Sequence, residues 1–148
     1  MEAYLLAAAT FCLLSSFGHT LFKLGSGRVQ PGRFNLVMMI VAFGLLSMDL
    51  WMRGEVQRSC PINSLFDVLV FMSWSTILIY FVVGSAYRLS LLGAFTSPLV
   101  LGILLFAQIT PINRDVHMRL FRDHWIELHA ALSIISYGAF ALAGVAGL

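Results

Sequence analysis

Residues 65–87 read LFDVLVFMSWSTILIYFVVGSAY, and this stretch decides the fold class. Asp67 is its only charged residue, and nearly all other positions are apolar, aromatic or small. An α-helix needs about 20 mostly apolar residues to cross the hydrocarbon core of a bilayer. The stretch therefore predicts a membrane-spanning helix from Leu65 to Tyr87.

Four further stretches have the same character, so the chain predicts about five spanning helices. Their expected bounds are 3–22, 34–52, 89–110 and 125–148, and Pro98 lies inside the fourth helix. The chain of 148 residues is 59% hydrophobic and 11% charged, whereas a soluble domain is about 45–50% apolar and about 25% charged. The composition favours lipid as the solvent of the outer helix faces.

These observations predict an all-α, polytopic transmembrane bundle that forms a single membrane domain over residues 1–148. A membrane β-barrel would instead show segments of about 10 residues with alternating polarity. The Lys and Arg residues are spread over several loops, whereas a nucleic-acid-binding surface needs clustered cations. Membrane lipid is therefore an expected partner, and nucleic acid is not.

The loop charges are nearly balanced between the two sides of the predicted bundle. An outside N-terminus would leave four loop cations inside and five outside, so the positive-inside rule does not decide by count. Lys23, Arg28 and Arg33 flank the first loop, which usually has the greatest influence. They favour an N-terminus on the outer side.

Histidine and tryptophan are the side chains best suited to hold a cofactor here. His129 follows Trp125 by one helical turn in HWIELHAALSIISYGAF, close to the expected membrane surface. Neutral imidazole is a common haem and metal ligand, so His129 could present its ring to a cofactor. The alternative is an interfacial histidine that is hydrogen-bonded to a loop, with Trp125 as an ordinary belt residue.

Trp74 lies in the middle of the third predicted helix, among other aromatic residues. It could stack on a flat hydrophobic ligand, or it could simply pack between helices. His124 and His129 are five residues apart and share a helix face poorly, so a metal site formed by these two histidines is not expected. His19 lies near the inner end of the first helix, and His117 lies in the polar loop before the last helix.

Two aspartates lie at predicted helix ends. Ser64 and Asp67 match a helix-capping arrangement, in which the dipole of the third helix also favours the carboxylate. Asp49 lies near the end of the second helix. Either aspartate is expected to pair with Arg53 or Arg58.

Three stretches resemble a known family. The segments CPINSLFDVLVFMSWSTILIY (60–80) and LGAFTSP (92–98), followed by HWIELHAALSIISYGAFALAG (124–144), resemble the cytochrome c assembly family. This family comprises haem-handling membrane proteins of the CcsA, CcmC and HemX type, and the similarity is greatest to the CcsA/HemX branch. The resemblance covers about residues 50–148, and the first fifty residues are compatible with it.

The resemblance implies a haem-binding membrane protein that supports attachment of haem to apocytochrome c on the outer side of a bacterial plasma membrane. By position, His129 is similar to a histidine of this family that ligates haem iron. Trp125 and Trp74 are then expected as further cofactor-binding residues. The same resemblance agrees with an N-terminus on the outer side.

Two departures from the family pattern shape the expected site. Tyr80 stands where the third helix of the family often carries a histidine, and tyrosine is not the usual neutral imidazole ligand. The chain is also expected to be the N-terminal part of a larger family domain. A partner membrane protein is therefore expected to complete the haem site, and contact with apocytochrome c is expected to be indirect.

Three functional hypotheses follow. The leading one is a non-enzymatic, haem-handling component of cytochrome c maturation. The second is a HemX-like membrane regulator of tetrapyrrole biosynthesis. The third is a non-haem membrane scaffold or transporter subunit, which predicts a purified protein without Soret absorbance.

Overall fold

A computed structural model of the chain describes residues 2–26, 33–87, 90–110 and 123–147. In these ranges the chain forms five α-helices and no strand: α1 (Glu2–Gly25), α2 (Arg33–Gln57), α3 (Leu65–Tyr87), α4 (Ser90–Ile109) and α5 (His124–Ala146). All five are long and apolar enough to cross a membrane. The predicted all-α fold class is confirmed, and the chain is an integral membrane protein.

The helix bounds agree closely with the predicted spans except at the end of α2. The third helix has the predicted bounds, whereas α2 continues to Gln57 rather than ending near residue 52. The added turn contains Arg53, whose side chain is buried and forms ion pairs with residues of three helices. Because its charge is paired inside the protein, Arg53 lies within the helix and does not end it. Arg28 and His117 lie outside the described residues.

The helices pack around one apolar core, and helices that follow one another in the chain run in opposite directions. Helix α1 contacts α2 and α4, α3 contacts α2 and α4, and α5 contacts α3 and α4. Fully buried side chains of the first four helices fill the centre: Leu13, Met39, Leu46, Phe66, Ile77 and Leu104. The starts of α1, α3 and α5 therefore lie at the same end of the bundle as the ends of α2 and α4. We call this end the Glu2 end.

A polar contact fixes the opposite end of the bundle. Asn35 of α2 is 2% exposed. Its Oδ1 accepts a hydrogen bond from Ser16 Oγ at 2.8 Å, and its Nδ2 donates to the Gly93 carbonyl at 3.2 Å and to Thr20 Oγ1 at 3.4 Å. In a bilayer, such interhelical hydrogen bonds stabilise one set of helix neighbours. Asn35 therefore holds α1, α2 and α4 together.

Helix α5 approaches α3 closely at Gly138. A Cβ atom built on Gly138 would lie 3.0 Å from the Thr76 backbone nitrogen and 3.1 Å from Ser75 Cβ. Only glycine allows the two backbones to come this close without a shift of α5. Ile134 and Leu142, one turn to either side, are also buried. The opposite face of α5 is exposed and includes large apolar side chains such as Leu132 and Phe140, as expected for a helix in contact with lipid.

Candidate functional site

Helix α5 begins at the Glu2 end with a side-chain cap, and Trp125 lies in its first turn. Asp123 is the N-cap residue, and its Oδ1 accepts a hydrogen bond from the Trp125 backbone N–H at 2.9 Å. This bond satisfies one of the free N–H groups of the first turn. The Trp125 side chain is 79% exposed. The indole therefore projects away from the bundle at the first turn of α5.

His129 lies one turn further along α5, on the same exposed face as Trp125. We call this face of Trp125 and His129 the exposed stripe. Residues four positions apart share a helix face, so His129 and Trp125 are neighbours on the exposed side. The backbone carbonyl of His129 accepts a hydrogen bond from Ser133 Oγ at 2.8 Å. Within the described part of the chain, no group hydrogen-bonds the imidazole ring of His129. The ring is thus exposed and available to a ligand.

The exposed stripe matches part of what a haem requires. One imidazole can ligate iron from one side, and the Trp125 indole, with the exposed Leu132 further along, offers an aromatic and apolar surface beside it. No group of three His, Cys, Asp or Glu side chains within the described ranges could hold a metal ion. Among the described residues, His129 could therefore supply one axial ligand and Trp125 one wall of a haem site.

Trp74 lies elsewhere, in the interior between α2 and α3. Its Nε1 donates a hydrogen bond to Ser47 Oγ at 2.8 Å, and its ring stacks on Phe43 with the centroids 5.4 Å apart. The ring of Phe71, one turn earlier on α3, is tilted against it with a centroid distance of 5.5 Å. The structure thus gives Trp74 a helix-packing role. It does not bring Trp74 to His129, and cofactor binding by Trp74 stays a prediction.

The other described histidines do not join His129 in a cluster. His124 is exposed at the first position of α5, on a different face from His129. His19 is half-buried towards the other end of α1, where its ring lies 4.7 Å from the ring of Phe34.

A buried charge cluster lies at the same end of the bundle as His129. Arg53 of α2 is 6% exposed, and its guanidinium contacts three carboxyl groups. Nε lies 2.9 Å from Asp49 Oδ2, Nη1 lies 3.1 Å from Asp67 Oδ1, and Nη2 lies 3.2 Å from Glu2 Oε2. The guanidinium carbon also lies 4.5 Å from the centroid of the Phe66 ring. We call Glu2, Asp49, Arg53 and Asp67 the Arg53 cluster.

The loop between α2 and α3 extends the Arg53 cluster. Gln57 Nε2 donates to Asp67 Oδ2 at 3.1 Å, and Asn63 Nδ2 donates to Gln57 Oε1 at 2.8 Å. The Asp67 backbone N–H donates to Ser64 Oγ at 3.1 Å. The predicted cap at the start of α3 is confirmed, and both aspartates pair with Arg53, one of the two arginines that were expected as partners. Sequence reasoning missed the participation of Glu2, because it lies far from Arg53 in the chain.

Cys60 lies in the α2–α3 loop, near enough to α5 for the Glu127 carboxylate to act on its thiol. Its side chain is half-buried, and burial raises the pKa of the Cys60 thiol above its ordinary value. The Glu127 carboxylate of α5 raises this pKa further, because it opposes formation of a second negative charge nearby. The loop, the Arg53 cluster and the start of α5 therefore lie at one end of the bundle.

The chain is similar to known membrane proteins. It is 26% identical to the cytochrome c biogenesis protein CcsA of Gloeobacter violaceus over 143 residues, which covers 93% of this chain and 39% of the relative. It is 30% identical to CcsA of Trichormus variabilis over 83 residues, 53% of this chain and 24% of the relative. Protein NrfI of Wolinella succinogenes is 30% identical over 141 residues, 91% of this chain and 15% of the relative.

The chain is related to the CcsA proteins over part of their length. The family resemblance expected from the three quoted segments is thus confirmed. The chain spans about a quarter of the Trichormus protein and about two fifths of the Gloeobacter protein. No family model and no solved structure matches the CcsA-related chain.

Proposed function

We propose that this CcsA-related chain is a membrane component of cytochrome c maturation and that it handles haem as its cargo. The observation that carries the proposal is the exposed, unbonded imidazole of His129, which shares a stripe of α5 with the Trp125 indole. The relatives are named as cytochrome c biogenesis proteins, and their similarity supports this reading of the stripe.

In this proposal His129 binds haem iron through one imidazole nitrogen, in the neutral form that leaves a lone pair free. Trp125 lies against the edge or face of the macrocycle and excludes water from that side. The asparagine and carboxylate contacts at the two ends hold α1–α4 together. Helix α5, fixed on α3 at Gly138, therefore presents His129 from a rigid support.

A second protein segment is needed to complete the site. The described residues supply one imidazole and one wall, so in this proposal the other axial ligand comes from a partner membrane protein or from a further segment of the family domain. The Glu2 end faces the outer side in this proposal, at a bacterial plasma membrane, where apocytochrome c would receive haem from the completed assembly. The chain itself then acts as an assembly factor without a catalytic group.

Haem content of purified variants tests the proposal. The full chain is produced in a bacterium that makes c-type cytochromes, purified in mild detergent with its associated proteins, and assayed by Soret absorbance and pyridine haemochrome. We expect His129→Ala to lose most of the haem and Trp125→Leu to lose part of it. His124→Ala is the matched control, because His124 is also exposed on α5 but lies on another face.

Haem content in His129→Ala equal to that of the unaltered protein would remove the central claim. Deletion of the gene distinguishes the regulatory alternative, because cytochrome c would still mature if the chain only controlled tetrapyrrole synthesis. The absence of Soret absorbance under both oxidising and reducing conditions would favour a scaffold or transporter subunit.

A further inference from the structure

The Arg53 cluster contains more carboxyl groups than cations. Three carboxyl groups, from Glu2, Asp49 and Asp67, surround a single guanidinium. If all three were ionised, the cluster would carry an excess of two negative charges inside or at the edge of the protein. Buried charge without compensation is strongly unfavourable, and a buried group commonly takes up a proton instead.

Two of the three carboxyl groups are well stabilised as anions. Asp67 accepts hydrogen bonds from Arg53 and from Gln57, and it lies in the first turn of α3, where the helix dipole favours negative charge. Glu2 lies in the first turn of α1, and its side chain is 41% exposed. Water can therefore solvate the Glu2 carboxylate directly.

Asp49 is in a different environment. It is 0% exposed, and only Oδ2 receives a hydrogen bond, from Arg53 Nε. Oδ1 is buried and has no hydrogen-bond partner among the described residues. A carboxylate normally accepts several hydrogen bonds. The negative charge of an ionised Asp49 would therefore be the least compensated of the three, and a proton is most favourable on this carboxyl group.

Among the described residues, the charged groups that face Asp49 belong to the Arg53 cluster. Helix α1 contributes Glu2, α3 contributes Asp67, and Arg53 lies on the same helix as Asp49. The residues of α4 include no ionisable side chain, and the described part of α5 makes no contact with α2. Within the described ranges, the charge balance at Asp49 is therefore set by the Arg53 cluster.

We propose that Asp49 is a proton-binding site, with its carboxyl group protonated at neutral pH inside the Arg53 cluster. The Arg53 charge is then matched by Asp67, and Glu2 remains a partly hydrated anion at the rim. The proton comes from water at the Glu2 end. Its loss would place two buried carboxylates beside one guanidinium, and their repulsion would loosen the contact of α2 with α3. This inference does not depend on haem binding.

Infrared spectroscopy tests the proton on Asp49. The chain is reconstituted in lipid vesicles, and the carbonyl stretch of a protonated carboxylic acid is measured at neutral pH in water and in D2O. We expect the band in the unaltered protein, its loss in Asp49→Asn and its retention in Glu2→Gln, which leaves the pairing of Arg53 with Asp67 in place. The absence of the band in the unaltered protein, or its persistence in Asp49→Asn, would overturn the proposal.

Thermal unfolding of Asp49→Asn and Asp67→Asn gives a second, independent test. Asparagine is a neutral isostere of protonated aspartic acid, so Asp49→Asn should unfold at nearly the same temperature as the unaltered protein. Asp67→Asn should unfold at a lower temperature, because it removes the anion that pairs with Arg53. An Asp49→Asn protein that fails to fold, or that loses as much stability as Asp67→Asn, would show that Asp49 is ionised.

Discussion

Replacement of Arg53 by methionine removes the guanidinium while keeping a long side chain in the same space. The change leaves the Asp67 carboxylate, which is 2% exposed, without its cation, and it removes the hydrogen bond from Arg53 to the fully buried Asp49. Removing one partner of a buried ion pair typically costs about 3–5 kcal/mol. The contact with the half-exposed Glu2 adds little, because exposed pairs contribute about 0–1 kcal/mol. We expect Arg53→Met to lower the free energy of unfolding by about 3–5 kcal/mol.

The measurement is reversible denaturation in mixed micelles, followed by tryptophan fluorescence. Trp74 reports on the contact between α2 and α3, since its indole is half-buried, stacks on Phe43 and donates a hydrogen bond to Ser47. Glu2→Gln is the graded control and should cost at most about 1 kcal/mol. Arg33→Met is the matched control, because it removes an exposed cation from the other end of the same helix.

A double-mutant cycle decides whether the loss comes from the pairing of Arg53 with Asp67. Groups that are coupled in one ion-pair network show interaction energies of about 0.5–3 kcal/mol. The pair Arg53→Met and Asp67→Asn should therefore cost less together than the sum of the two single changes. A fully additive result, or a loss for Arg53→Met no greater than for Arg33→Met, would refute the reasoning.

Two further predictions concern α5 and the loop beside it. Gly138→Ala should destabilise the protein by about 1–3 kcal/mol, since the new Cβ would lie 3.0 Å from the Thr76 nitrogen. Gly144→Ala is its control in the same denaturation assay, because a Cβ there meets nothing within 4 Å, and equal losses would contradict the close approach. Maleimide labelling of Cys60, in a Cys12→Ser background, should be slow at neutral pH and accelerate as the pH rises, because burial raises the pKa of the thiol. Glu127→Gln should increase the labelling rate at neutral pH, and an unchanged rate would place Glu127 away from the loop.

The parts of the candidate site differ in how far the sequence could predict them. The cap of Ser64 on α3 and the pairing of Asp49 with Arg53 are local contacts, with partners three or four residues apart. Such contacts follow from helical geometry alone. The predicted end of α2, near residue 52, was too early, because α2 continues to Gln57. An arginine after an apolar run is typical of a loop unless a buried partner holds it in the helix.

The sequence by itself determined the five helices, because the length and hydropathy of a membrane span are local properties of the chain. It also identified His129 and Trp125 as neighbours on one helix, since residues four positions apart share a face. Only the tertiary structure decided that Trp74 packs against Ser47 on α2, away from these two residues. The tertiary structure likewise brought Glu2 and Asp67 to Arg53. Such contacts depend on how each helix is rotated and which neighbour it packs against, and hydropathy carries no information about either.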